Sequence, residues 1–145
     1  MGMGRERAAT SGYRRYLLDT HVLLWAAGEP ERLNDSVISI LSDDSHLLYF
    51  SAVSIQEIAI KSALNKPDFY IDAKALTEGL IAAGYLELTM TSGHARQLVD
   101  LPEMHRDPFD RMLVSQANAE GLNLITNDGN IIKHCARYIA ITACG

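Results

Sequence analysis

Short apolar runs alternate with amphipathic stretches along most of the chain. Five apolar runs predict β-strands, and they lie at residues 15–18, 47–52, 85–90, 122–126 and 138–142. Helical patterns or helix signals fall between them, at residues 20–28, 33–44, 54–66, 73–83, 92–98, 108–120 and 128–135. Because strands that alternate with helices pair in parallel through right-handed crossovers, the pattern predicts an α/β fold. We expect a three-layer α/β/α sandwich with a mainly parallel central sheet.

Local signals fix several helix ends. The clearest helix runs from Pro108 to Glu120, with Asp107 as N-cap, proline in the first turn and Gly121 at the end. Gly84 is a C-cap signal for the helix before it. In the helix predicted from residue 54, the inward positions are expected to be Ile55, Ile58, Ala59 and Ala63.

The composition is that of one ordinary domain. The chain has 145 residues, of which 48% are hydrophobic and 21% are charged. We expect a flexible leader over residues 1–15 and a single domain over residues 16–145, with no linker or repeat between them. No apolar run approaches the roughly 20 residues of a membrane helix. Two cysteines, Cys135 and Cys144, suit a reducing cytoplasm, with one disulfide between them as the alternative.

Four carboxylates carry the candidate chemistry: Asp19, Glu57, Asp110 and Asp128. Each is predicted where a strand gives way to a helix or turn, and open α/β sheets keep their active sites at such carboxyl ends. One like-charged pair at about 4 Å costs roughly 4 kcal/mol at an effective dielectric near 20. A cluster of these groups therefore needs protons or cations, and hard cations such as Mg²⁺ take oxygen ligands.

The net charge does not decide against a nucleic-acid substrate. The chain carries −5 overall, and removing the four carboxylates leaves −5 + 4 = −1. The excess negative charge therefore belongs largely to the candidate site, where a divalent cation would reverse its sign locally.

Each carboxylate also has a purely structural interpretation. Asp19 is a favoured N-cap for the helix that follows it, and Ser54 with Glu57 matches a capping box. Asp110 in a first helical turn complements the helix dipole, and Asp128 precedes a glycine in an ordinary turn signal. Four such places after four different strands are explained more economically by a shared site.

Four neighbouring residues are assigned supporting roles, and three of them follow from their positions. Thr20 either caps a helix or holds a water or phosphate oxygen. Asp107 is chiefly a cap, with an outer-shell role in the site as the alternative. Arg111 either pairs on the surface or holds a phosphate in bidentate fashion.

At these residues the sequence resembles the PIN-domain ribonucleases, and in particular the VapC-like toxins of type II toxin–antitoxin systems. The resemblance covers residues 16–141 and rests on four segments in order, LLDTHVLLW, SAVSIQEIAIK, HRDPFDRMLVSQA and LITND. Each segment alone is a loose match, whereas the set is specific.

The resemblance implies a PIN-like α/β/α fold and assigns the acidic metal site to Asp19, Glu57, Asp110 and Asp128. Thr126 matches the hydroxyl residue that often precedes the last acid, which makes it the fourth supporting residue. It further implies an endoribonuclease that depends on Mg²⁺ or Mn²⁺, a homodimer, and a small cognate antitoxin that inserts a segment into the site.

The resulting hypothesis is metal-assisted hydrolysis of RNA phosphodiester bonds with one or two bound ions. One alternative is a non-catalytic RNA- or protein-binding α/β module whose acids only cap helices. Another is a metal-dependent phosphatase with Asp19 as nucleophile. The familiar form of that chemistry has a second acid two residues on, where this chain has His21.

Overall fold

Five parallel strands form the centre of the molecule. The computed structural model describes residues 14–64, 70–104 and 107–144, so residues 1–13 of the expected leader lie outside the described part. The strands are β1 (Arg15–Leu18), β2 (Leu47–Ser51), β3 (Leu86–Leu88), β4 (Asn123–Thr126) and β5 (Ile141–Ala143). They are ordered β3-β2-β1-β4-β5, and each neighbouring pair is parallel. The predicted α/β fold with a parallel central sheet is confirmed.

Helices cover both faces of this sheet. They are α1 (Thr20–Gly28), α2 (Asp35–Ser42), α3 (Ala52–Ala63), α4 (Ala73–Ala82), α5 (Ser92–Arg96), α6 (Pro108–Glu120) and α7 (Gly129–Cys135). Short 3₁₀ turns follow α1 at Pro30–Arg32 and α5 at Gln97–Asp100. Within the described ranges, no helix combines the length and the apolar character needed to cross a bilayer.

The side chains of β1 alternate between two separate cores. Leu17 packs with Leu113 of α6 and Ile131 of α7. Leu18 lies on the opposite face, in the core that contains Val22 of α1 and Val37 of α2. Because successive strand residues point to opposite faces, one apolar strand supplies both cores. The result is the predicted three-layer sandwich.

Helix α6 has the predicted bounds and caps. Asp107 Oδ1 accepts hydrogen bonds from the backbone N–H groups of Phe109 (2.9 Å) and Asp110 (3.2 Å). Gly121 ends the helix with φ of 66°, a left-handed conformation that favours glycine. Gly84 likewise has a positive φ, of 97°, directly after α4 and its cap residue.

Helix α3 starts earlier than the sequence predicts. It begins at Ala52, directly after β2, and Ser51 is its N-cap, with Oγ accepting from the Val53 N–H at 2.9 Å. The predicted capping box of Ser54 and Glu57 is therefore wrong, because both residues lie inside the helix.

The earlier start also changes the buried face of α3. Ile58 is buried as predicted and Ile55 is partly buried, whereas Ala59 and Ala63 are exposed. The buried face instead carries Val53, Ser54, Glu57, Ile58 and Ser62. The end of β2 sets the rotation of the helix and turns a carboxylate inward.

Candidate active site

The strand order creates a crevice beside β1. The chain runs outward from β1 to β2 and β3, and then returns to place β4 on the other side of β1. Ligands of open α/β sheets bind at such a switch point, beyond the carboxyl ends of the strands. Asp19 directly follows β1, and Asp128 lies two residues beyond Thr126, the last residue of β4. The two aspartates therefore flank the switch point.

One cavity of about 240 Å³ collects the predicted acids at this edge. Its lining consists of Asp19, Thr20, His21, Glu57, Lys61, Asp107, Asp110 and Asp128. All four carboxylates assigned to the site share this cavity, together with two of the supporting residues. The hydroxyl of Thr126, a third supporting residue, donates a hydrogen bond to the Asp19 carboxylate.

The route by which the acids reach the cavity differs from the prediction. Glu57 lies in the second turn of α3, and Asp110 lies in the first turn of α6, a helix that precedes β4. The prediction that each acid closes a different strand is therefore wrong for these two residues. Helices that pack beside the sheet carry them to the same edge.

Asp19 is buried and held on both carboxylate oxygens. Its side chain accepts the Val22 N–H on Oδ1 at 3.0 Å and the Thr126 hydroxyl on Oδ2. The Thr126 oxygen in turn accepts the Asp128 N–H at 3.0 Å, which ties the two strand ends together. Burial raises the pKa of Asp19 above its ordinary value; the hydrogen bonds from Thr126 and Val22 oppose this rise, and the Asp128 charge adds to it.

Glu57 is held by a chain of hydroxyl groups. Thr20 Oγ1 lies 2.8 Å from Glu57 Oε1 and 2.9 Å from Ser54 Oγ. A hydroxyl has a single hydrogen, and the Glu57 carboxylate can only accept. Thr20 therefore donates to Glu57 and accepts from Ser54, which fixes the direction of the chain. Lys61 Nζ contacts the other oxygen, Oε2, at 2.6 Å.

The remaining acids of the cavity are partly buried and lie at helix starts. Asp128 caps α7 by accepting the N–H groups of Asn130 (2.8 Å) and Ile131 (3.0 Å). Asp19 caps α1 in the same way, so capping and a shared site coexist. Asp110 lies beside the capping residue Asp107 in the first turn of α6.

Two residues of the site have roles that the sequence did not indicate. Ser54 orients Thr20, and Lys61 pairs with Glu57. The four-residue spacing of Glu57 and Lys61 on a helix was the available signal. Arg111 is not among the described residues that line the cavity, and its guanidinium donates to the Leu98 carbonyl at 3.3 Å.

The oxygen atoms of the side chains that line the cavity suit a hard divalent cation. Carboxylate and hydroxyl oxygens are the groups that Mg²⁺ and Mn²⁺ bind. Among residues 14–64, 70–104 and 107–144, no three acidic, histidine or cysteine side chains converge closely enough to enclose an ion.

Solved structures from three bacteria resemble this fold. The DNA-bound VapBC of Salmonella typhimurium matches with a TM-score of 0.65 and 17% identity, over 90% of this chain and 98% of that chain. VapBC2 of Rickettsia felis, bound to a DNA fragment from its promoter, matches with a TM-score of 0.63 and 14% identity. The match covers 89% of this chain and 98% of that chain. FitAcB of Neisseria gonorrhoeae matches with a TM-score of 0.51 and 21% identity, over 87% of this chain and 95% of that chain. At these identities the likeness shows a common fold.

Sequence comparison gives the family. No significant match was found among curated proteins. The family model of the PIN domain, however, matches residues 16–137, which span most of the chain and contain all four carboxylates of the cavity. The strand order, the acidic cavity and this match agree, and the chain belongs to the PIN domain family.

Proposed function

We propose that this protein is a metal-dependent endoribonuclease and the toxin of a toxin–antitoxin pair. The observation that carries the proposal is the single cavity at the sheet switch point, which four carboxylates from separate parts of the chain line. Membership of the PIN domain family supports a nuclease, and the likeness to VapBC and FitAcB structures supports the toxin role.

The metal would be held by Asp19, Glu57, Asp110 and Asp128, as one or two ions of Mg²⁺ or Mn²⁺. A bound ion of this kind supplies a water of lowered pKa and positive charge for the phosphoryl oxygens. Asp19 and Glu57 present oriented carboxylates, because Thr126 and Thr20 hold them in place. Such outer hydrogen bonds keep ligands in their working orientation.

The substrate is proposed to be the RNA backbone. Water is the expected nucleophile, so the products should carry a 5′-phosphate and a 3′-hydroxyl. A homodimer and a small antitoxin that inserts a segment into the site complete the proposal, and both rest on the resemblance to VapC-like toxins.

Sequencing of RNA ends tests this function. Total RNA is examined after induction of the wild-type protein and of Asp19→Asn, which keeps the side-chain size but removes the charge. New 5′-phosphate ends should appear with the wild type alone, and EDTA should abolish cleavage of purified RNA. Equal cleavage by Asp19→Asn would exclude the assigned site.

One alternative has an observation in its favour. Asp19, Asp107 and Asp128 all cap helices, as a non-catalytic binding module would require. Capping does not account for Glu57, which is 5% exposed in the second turn of α3. Thermal unfolding with Mn²⁺ separates the two functions. A metal site should raise Tm in the wild type and not in Asp110→Asn, whereas a binding module should show no such difference.

A further inference from the structure

Lys61 brings a positive charge to a cavity that is otherwise acidic. Among the described residues that line it, Lys61 is the only lysine or arginine. Its ammonium contacts Glu57 Oε2 at 2.6 Å, and its side chain is 41% exposed. Lys61 is therefore a partly exposed cation beside a buried carboxylate of the cavity.

A second lysine–glutamate pair shows what an ordinary surface contact looks like in this molecule. Lys74 and Glu78 on α4 are also four residues apart, but their charged atoms are 3.9 Å apart and their side chains are 83% and 67% exposed. Such exposed pairs contribute little to stability. In the Lys61 pair the glutamate side chain is 7% exposed, so the lysine neutralises a carboxylate that is largely buried.

Lys61 retains hydrogen-bonding capacity beyond this pair. An ammonium has three N–H donors, and the described contacts of Lys61 use one, to Glu57 Oε2. Lys61 lines the cavity and its side chain is 41% exposed, which leaves it within reach of a ligand that enters the cavity. A polyanion that approaches the cavity is repelled by the carboxylates and attracted by the lysine.

We propose that Lys61 is a phosphate-binding residue of this site, which holds Glu57 with one N–H and a non-bridging oxygen of the RNA backbone with another. The inference rests on the proposed ribonuclease function and specifies how its substrate is held. One side chain would thereby fix the distance between a metal-binding carboxylate and the phosphate.

RNA binding at graded salt concentrations tests this role. All variants are placed in an Asp128→Asn background, which keeps a capping side chain while preventing cleavage, and a single-stranded RNA is titrated by fluorescence anisotropy in Mg²⁺. Lys61→Met should weaken binding about tenfold, as loss of a charged hydrogen bond does. It should also reduce the slope of log K against log [KCl] by about 0.7, the value for one phosphate contact on a single strand.

Matched variants separate this role from a structural one. Lys61→Arg should restore the slope, and Lys74→Met, which removes the same charge from α4, should change neither the affinity nor the slope. If Lys61→Met is poorly folded by circular dichroism, Lys61→Gln replaces it. A lower Tm with an unchanged salt slope would overturn the proposal, since Lys61 would then only neutralise Glu57.

Calorimetry of Mn²⁺ binding gives a readout without RNA. If Lys61→Met binds Mn²⁺ more tightly while its salt slope is unchanged, Lys61 only competes for Glu57 and the proposal fails. The proposed function itself fails if the wild type neither binds nor cleaves RNA. If the wild type cleaves and Lys61→Met keeps its salt slope, only the role of Lys61 is excluded.

Discussion

The floor and the rim of the acidic cavity are built in different ways. We define the floor as Asp19, Thr20, Glu57 and Thr126, and the rim as Lys61, Asp107, Asp110 and Asp128. The floor is buried, and its hydrogen bonds join residues 37 and 107 positions apart in the chain. The caps of the rim, by contrast, bond to residues two or three positions away. Substitutions in the floor should therefore damage chemistry. Loss of the cap at Asp107, the rim acid that is not assigned to the metal, should mainly loosen the start of α6.

The largest effect is expected at Glu57. Glu57→Gln keeps the acceptor for Thr20 but removes the charge that pairs with Lys61 and that is proposed to bind the metal. Changes to groups that only support a ligand cost 10–100-fold. Loss of the ligand charge should therefore lower single-turnover RNA cleavage by more than about 100-fold, with an unchanged circular dichroism spectrum. Cleavage within threefold of the wild type would contradict the assignment of Glu57 to the metal site.

A smaller effect is expected at Thr126. Thr126→Val removes the hydroxyl that donates to Asp19 and accepts from the Asp128 N–H. The two strand ends then lose their link, so Mn²⁺ affinity by calorimetry should fall roughly 10–100-fold. Thr126→Ser keeps the hydroxyl and serves as control. Equal losses in both variants would show that packing of the methyl group, rather than the hydrogen bond, holds the floor.

The buried charge of Asp19 should lower the stability of the metal-free protein. Burial raises the pKa of Asp19, so between the ordinary value of 3.8 and the raised value the folded state holds a proton that the unfolded state has lost. Metal-free stability should therefore fall as pH rises through this window, and the full cost remains above it.

Asp19→Asn tests this cost at neutral pH. It should raise the metal-free Tm, because asparagine keeps a polar side chain at the buried position without the charge. Asp72→Asn, at the exposed cap of α4, should leave Tm nearly unchanged. A lower Tm in Asp19→Asn would mean that the charged carboxylate stabilises the fold.

The smallest effect on cleavage is expected at the rim residue Asp107. Asp107→Ala removes the N-cap of α6 and should lower the free energy of unfolding by about 1 kcal/mol in urea denaturation. Cleavage should fall less than tenfold, and Asp107→Asn should preserve stability because asparagine also caps well. Abolished cleavage at unchanged stability would instead place Asp107 in the catalytic group.

The contrast between floor and rim explains which features could be predicted from the sequence and which could not. Helix α6 was predicted with its bounds because Asp107 and Gly121 act on their own neighbours. The burial of Glu57 was not predicted, because it depends on where α3 begins, and that point is set by the end of β2. The capping-box pattern at Ser54 matched a local rule, yet Ser51 is the cap.

The meeting of the four acids in one cavity was anticipated, but the strand-end argument covered only half of them. Asp19 and Asp128 follow strands, and a pattern of apolar runs is enough to place such residues. Asp110 reaches the same edge through the packing of α6, which no local pattern encodes.

The backbone of Asp19 belongs to the sheet as well as to the site. Its N–H donates to the Ile125 carbonyl at 3.0 Å, so the residue extends the pairing of β1 with β4. Asp19 can therefore leave its place only when the two central strands separate. Its amide should exchange with deuterium as slowly as the slowest amides of the molecule, and heat should inactivate the enzyme only where the whole domain unfolds.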